Sequence, residues 1–269
     1  MEGRVHLFYI CRKLTKAVIL LCIAVFIFEG LFPLLSASAK LKMQMMGDLK
    51  NPQPEMLKMV GRDFYDAMLD YGFIVFGYIH PFLLVLLVIY IFYAVSQVLT
   101  SEIATGSIGF ILSRPVSRMR IYFNLAIAIY SGLAVISLAA LGGTYFGMWI
   151  FNVSGKVPPF LSIVMNLYVL MLFIAGYIAL FASIADTGKS LFIPSGIILF
   201  VFYAIDLISG LWEPFEYISP INPFSYYKPI ELLVGQRLDL AAGLAIPVLT
   251  ALMFWLGARI FSRRDLPSG

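Results

Sequence analysis

The chain has 269 residues, 61% of them hydrophobic and 13% charged, with a formal net charge of +4 and a mean hydropathy of +0.92. Soluble domains carry roughly a quarter charged residues, so the composition excludes a water-soluble globular protein and places the chain in a membrane. Two cysteines and two histidines are too few for a disulfide framework or a zinc site of the His-Glu-x-x-His kind.

Six apolar runs reach the roughly 20 residues that a helix needs to cross a bilayer. They are Ala17 to Leu35, Phe73 to Leu99, Ile121 to Phe151, Phe160 to Ala185, Leu191 to Leu211 and Leu240 to Phe261. None alternates strictly between apolar and polar residues, so helices are expected rather than barrel strands. The expected fold is all-α, a single transmembrane domain over residues 1–269.

Orientation follows from the basic residues. With both termini cytoplasmic, 11 of the 19 lysines and arginines fall on the inner side, and five of the other eight lie in the longest outer loop. Short loops dominate the positive-inside bias, so the N and C termini are expected in the cytoplasm of a multi-pass protein of the cell membrane. The net charge is accounted for by this asymmetry and gives no reason to invoke nucleic acid.

Ahead of the first run, Val5, Phe8 and Tyr9 separate from Arg12 and Lys13 on a helix, which reads as an interfacial helix leading into the first span; a frayed basic tail is the alternative. The run and Ala37-Ser38-Ala39 imitate a secretory signal, but the apolar stretch continues past Glu29 to Leu35, beyond the about 7–15 residues usual for a signal. Cys11 and Cys22 lie in or before this span.

The outer loop from Lys40 to Tyr71 divides at Asn51-Pro52-Gln53-Pro54. Beyond it, Met56, Met59, Val60, Phe64 and Met68 fall at helical spacing, predicting a short amphipathic helix on the outer surface. The methionines of Lys42-Met43-Gln44-Met45-Met46 could bind copper(I), against which stands methionine's common use as flexible apolar filling; no metal site is assigned.

Gly77 and Pro81 should bend the second span, and Gly142, Gly143 and Gly147 should let the third approach a neighbour closely. Asp186 to Ser190 forms a tight inner turn ending in Gly188-Lys189-Ser190. A phosphate-binding loop would need glycine at position 183, where Ser183 stands, and a preceding strand. No Gly-x-Ser-x-Gly elbow occurs either, so no catalytic residue, nucleotide site or cofactor is assigned to this chain, and it is not expected to be an enzyme. From Trp212 to Asp239, prolines, tyrosines and acids predict an outer cap that dips back toward the membrane before the sixth span.

Glu29, His80 and Asp206 are the ionisable groups inside apolar runs. A charge at the centre of a span costs about 2.5–3.5 kcal/mol on insertion scales. Each must be paired, hydrated or near an end, so pairing at the outer interface and a hydrated vestibule both stay open.

Thr100 to Phe123 is the most polar of the inner segments. Ser101, Glu102 and Thr105 can start a short helix, Ile108, Phe110, Ile111 and Leu112 give it an apolar side, and Arg114-Pro115 ends it before Arg118 and Arg120. A positively charged loop that binds lipid headgroups would account for the arginines. It would not account for a glutamate, two glycines and a proline set around a short amphipathic helix.

Glu102-Ile-Ala-Thr-Gly106-Ser107 followed by Leu112-Ser113-Arg114-Pro115-Val116-Ser117-Arg118 resembles the first cytoplasmic loop of ABC transporter permeases of the type-2 export class. Phe261-Ser-Arg263-Arg264-Asp265-Leu266 and Pro220-Ile-Asn222-Pro223 are similar to that family's closing segment and outer segment. The resemblance implies six spans, an interfacial N-terminal helix, a cytoplasmic coupling helix after the second span and an outer re-entrant segment before the sixth.

It further implies a separate ABC ATP-binding subunit carrying ATP and magnesium, and a second permease, identical or related, to complete the pathway. Glu102, Gly106, Ser107, Arg114, Pro115 and Arg118 would form the ATPase-coupling site, with Glu102, Arg114 and Arg118 making polar contacts and Gly106 allowing close approach. The enlarged first outer loop departs from the compact form of many members and leaves the substrate open. A secondary transporter or a non-transporting scaffold are the readings from other classes.

Overall fold

The computed structural model describes residues 2–38, 62–109, 117–153, 160–209, 217, 220–235 and 240–265. Among the described residues all regular structure is helical, and six helical stretches are long and apolar enough to cross a membrane. The all-α expectation and the six spans therefore hold. The Met-rich stretch 42–46, the proline break at 51–54, residues 56–60, 110–116 and 212–216 lie outside the described residues.

Helix α1 runs unbroken over Glu2–Ala37. No separate interfacial helix precedes the first span, because nothing between His6 and Glu29 is a glycine or proline that would break the hydrogen-bond ladder. Helix α2, Arg62–Ile79, is likewise continuous with the second span. The expected separate surface helix is absent over its described part: from Arg62 onward the chain is already the helix that enters the bundle.

The second span breaks where Pro81 demands it. His80, the residue before proline, is extended (ψ 128°) and caps helix α3, Pro81–Val95, by accepting a hydrogen bond at Nδ1 from the Phe82 amide at 3.2 Å. Below α3 the helix widens into a π turn, Ser96–Thr100, and closes with α4, Ser101–Ala104. Helices α5 (Arg118–Ile150), α6 (Phe160–Ala182), α7 (Gly188–Ser209), α8 (Pro229–Leu233) and α9 (Leu240–Arg263) follow.

Helix α6 is the most buried of the spans and α7 the least. Packing depends on small residues meeting backbone or tyrosine. A Cβ on Gly143 would lie 2.3 Å from the Phe26 carbonyl oxygen, and one on Gly147 2.5 Å from that of Gly30. Helices α1 and α5 thus touch backbone to backbone, as small residues permit in lipid, where close packing rather than a hydrophobic drive holds helices together. Elsewhere Tyr90 lies across Gly132 and Tyr122 across Gly257. Both hydroxyls are buried and donate to carbonyls, Tyr90 to Ala128 at 3.3 Å and Tyr122 to Ala179, which removes the about 1–3 kcal/mol penalty of an unpaired buried polar group.

Helices α1, α5 and α9 bring their basic termini to one end of the bundle, called the near end here; the opposite end carries His80 and the segment from Pro220 to Gly235.

Candidate functional site

Two polar clusters organise the near end. In the first, Lys13 on α1 donates from Nζ to Glu102 Oε1 at 2.7 Å and to the Gln97 carbonyl at 2.7 Å. The Gln97 carbonyl lies within the π turn and also accepts a hydrogen bond from the Ser101 hydroxyl at 3.3 Å. Glu102 accepts a further hydrogen bond from Ser107 at Oε2. Gly106 carries the chain between them with φ +71°, the left-handed conformation that ends helices and that glycine adopts without a Cβ penalty.

The second cluster joins the far ends of the sequence. Arg118, in the first turn of α5, donates to the Arg264 carbonyl. Arg264 in turn pairs with Asp186 and donates to the carbonyls of Ala185 at 2.9 Å and Ser183 at 3.3 Å. Burial draws the Arg264 guanidinium below its ordinary pKa, and the carboxylate with two carbonyls offsets that loss of water. The turn it grips is self-capped: Thr187 and Ser190 exchange side-chain to amide bonds at 3.2 and 3.0 Å.

The first cluster ties the end of the second span to α1, and the second ties the start of α5 to the end of α9 and to the turn joining α6 and α7. Each of the six spans meets one of the two clusters, α6 and α7 through that turn.

The residues expected at a coupling site divide as follows. Glu102 belongs to the last turn of the second span, not to a new helix after it, and it faces Lys13 and Ser107 inside the chain. Gly106 serves a turn. Arg118 faces Arg264. Arg114 and Pro115 lie outside the described residues, as does the body of the expected short helix; Ile108, near its start, is buried.

The other ionisable groups separate at the opposite end. His80 caps α3 and packs edge-on against Phe28 and Phe76. Asp206 accepts a hydrogen bond from Ser225 at 3.1 Å. Glu29 is fully buried, and neither of its carboxyl oxygens has a hydrogen-bond partner.

Sequence reading missed the amides that fasten the segment before α9. Asn222 is buried, donates to the Phe202 carbonyl at 2.9 Å and accepts from the Phe224 amide at 3.1 Å, starting a 3-10 turn at Pro223–Tyr226. Asn166 donates to the Tyr226 carbonyl and accepts from the Lys228 amide, both at 2.9 Å. Tyr227 donates to the Tyr78 carbonyl at 2.9 Å, and burial raises its hydroxyl pKa. A usable signal existed: Asn166 is the sole amide side chain in an otherwise apolar run.

Comparison with protein families, with characterised proteins and with solved structures returns no match. The functional reading therefore rests on the residues and their placement. Among the described residues no group of three or more histidines, cysteines or acids could hold a metal ion.

Proposed function

We propose that this chain is the membrane-spanning permease subunit of an ATP-driven ABC transporter, an exporter in which the near end faces the cytoplasm. The chain supplies the translocation pathway together with a second permease copy or a related chain. Separate ATP-binding subunits supply hydrolysis, with ATP and magnesium on them. On this reading the chain lies in the cell membrane and performs no catalysis itself.

The observation that carries the proposal is the fastening of both described ends of segment 101–118, Glu102 to Lys13 and Arg118 to Arg264. A partner would push on this segment. Its displacement would pass through Lys13 to α1, through Arg118 to α5, and through Arg264 to α9 and the α6–α7 turn, which is how a small rigid-body shift at one surface becomes a rearrangement of a packed bundle. Arg114 would then make the polar contact to the ATPase that the resemblance implies. Glu102 and Arg118 transmit the force inward.

The test is nucleotide hydrolysis by the reconstituted complex. Arg114→Ala should lower transport-coupled hydrolysis while leaving membrane insertion intact, and unchanged coupling would contradict the proposal.

A second reading, an ion-coupled carrier working without an ATPase, is favoured by one observation, the buried and unpaired Glu29. Transport that persists when nucleotide is withheld would select it.

A further inference from the structure

Glu29 sits on α1 beside Gly30, in the seam where α1 meets α2 and α5. One carboxyl oxygen lies so close to α2 that a Cβ on Gly77 would be 2.6 Å from it and 2.6 Å from the Phe32 ring. Neither oxygen receives a hydrogen bond, and no exposed surface remains on the residue. Three adjoining hydroxyls are engaged elsewhere: Tyr78 is bonded to Thr144 at 2.7 Å, Thr144 to the Ala140 carbonyl at 3.1 Å, and Tyr227 to the Tyr78 carbonyl.

An ionised carboxylate in this position would carry an uncompensated charge out of water. A neutral carboxylic acid would leave a hydroxyl and a carbonyl without partners, a smaller penalty than a bare charge. Among the described residues no cation is paired with it, and it belongs to no group of three or more side chains that could hold a metal ion. A proton is the ligand that fits.

We propose that Glu29 is a proton-binding site whose occupied form holds α1 against α2 and α5. Among the described residues the titratable groups around it are Tyr78 on α2, Tyr227 in the segment before α9, Tyr145 of α5 beside Tyr78, and His80, whose ring meets Phe28. None of the tyrosines supplies a positive charge, and His80 spends its Nδ1 on the α3 cap. Separating α1 from Gly77 lets water reach the carboxyl and releases the proton. The closed seam therefore binds the proton more tightly than the open one, so closure is favoured at low pH and weakened as pH rises. Because Tyr227 and Tyr78 bridge the seam to the segment before α9, release of the proton loosens that segment too.

The proposal is independent of the ATPase reading and is tested on the full chain in lipid nanodiscs without nucleotide. Infrared spectra are recorded against pH for the wild type, for wild type carrying carbon-13-labelled glutamate, and for Glu29→Gln. The expected result is a protonated carboxylic acid band at neutral pH that shifts with the glutamate label and is lost in Glu29→Gln. A labelled chain with no protonated glutamate band at neutral pH overturns the proposal even if Glu29→Gln fails to fold. The linkage to the seam is read by disulfide cross-linking of Phe26→Cys with Phe146→Cys, whose native rings lie 5.4 Å apart across α1 and α5, in chains with Cys11 and Cys22 changed to serine. The cross-linking yield with Glu29 in place, divided by the yield of the same chain carrying Glu29→Gln, should fall as pH is raised; a ratio that does not change with pH overturns the linkage.

Discussion

Lys13 and Glu102, separated by 89 positions in the chain, form an ion pair at 2.7 Å that fastens the start of the first span to the end of the second. The pair is mostly shielded from solvent, with 25% and 13% of the two side chains exposed, and Lys13 also donates to the Gln97 carbonyl in the π turn. It is a structural brace as well as a feature of the proposed coupling surface.

Breaking that brace should therefore lower stability before any partner is considered. Lys13→Ala or Glu102→Ala is expected to cost about 1–2 kcal/mol, seen as a lower unfolding temperature in lipid or detergent. The exchange Lys13→Glu with Glu102→Lys should restore part of the loss. Full additivity of the two single changes would show that the residues do not act on each other.

The α1–α5 seam gives a prediction with an internal control. Gly143→Ala places a methyl group against the Phe26 backbone and should destabilise the bundle by about 1–3 kcal/mol. At Gly142 the nearest atom to a Cβ is the Phe26 ring at 3.6 Å, an ordinary contact, so Gly142→Ala should be neutral. Thermal unfolding of the two variants side by side reads the difference.

Asn166 holds the segment before α9 with one donor and one acceptor. Asn166→Asp keeps the acceptor for Lys228 but turns the donor facing the Tyr226 carbonyl into a second acceptor, which repels it. Limited proteolysis between Pro220 and Gly235 should then be severalfold faster than in the wild type, whereas Asn166→Asp with wild-type protease resistance would show that this latch is unimportant.

At the near end, Arg264→Ala removes the Asp186 pair and the bonds to Ser183 and Ala185. Two buried carbonyls are left without a donor, at about 1–3 kcal/mol, and the α6–α7 turn is released. Hydrogen exchange should rise at residues 183–187 with little change at the far end. Arg264→Lys should rescue only in part, because a single ammonium cannot reproduce the planar fork.

The number of spans, the break at His80-Pro81 and the close approach by Gly143 and Gly147 were legible in the sequence because each has a local cause: a run of apolar residues, a missing amide, a missing Cβ. The continuity of α1 was legible in principle from the lack of a breaker, yet the alternation of Phe8, Tyr9, Arg12 and Lys13 pointed to a separate interfacial helix. Pairings between distant elements were not legible. Nothing in the local pattern says that Glu102 faces Lys13, that Arg264 grips Asp186, or that Glu29 faces a glycine, because in a lipid-embedded chain buried and lipid-facing positions are both apolar and periodicity no longer marks the inside. Gly106 illustrates the same limit: glycine signals either close approach or a left-handed turn, and only the backbone, at φ +71°, separates them.

The most direct measurement of the coupling proposal is photo-cross-linking in cells from an unnatural residue at exposed Thr105, followed by mass spectrometry of the adduct. The expected adduct is a protein carrying a phosphate-binding loop, whose ATP hydrolysis is stimulated when it is reconstituted with this chain. If Thr105→Cys, in a chain with Cys11 and Cys22 changed to serine, instead reacts with a membrane-impermeant maleimide added outside intact cells, the segment faces the wrong side and the proposal fails.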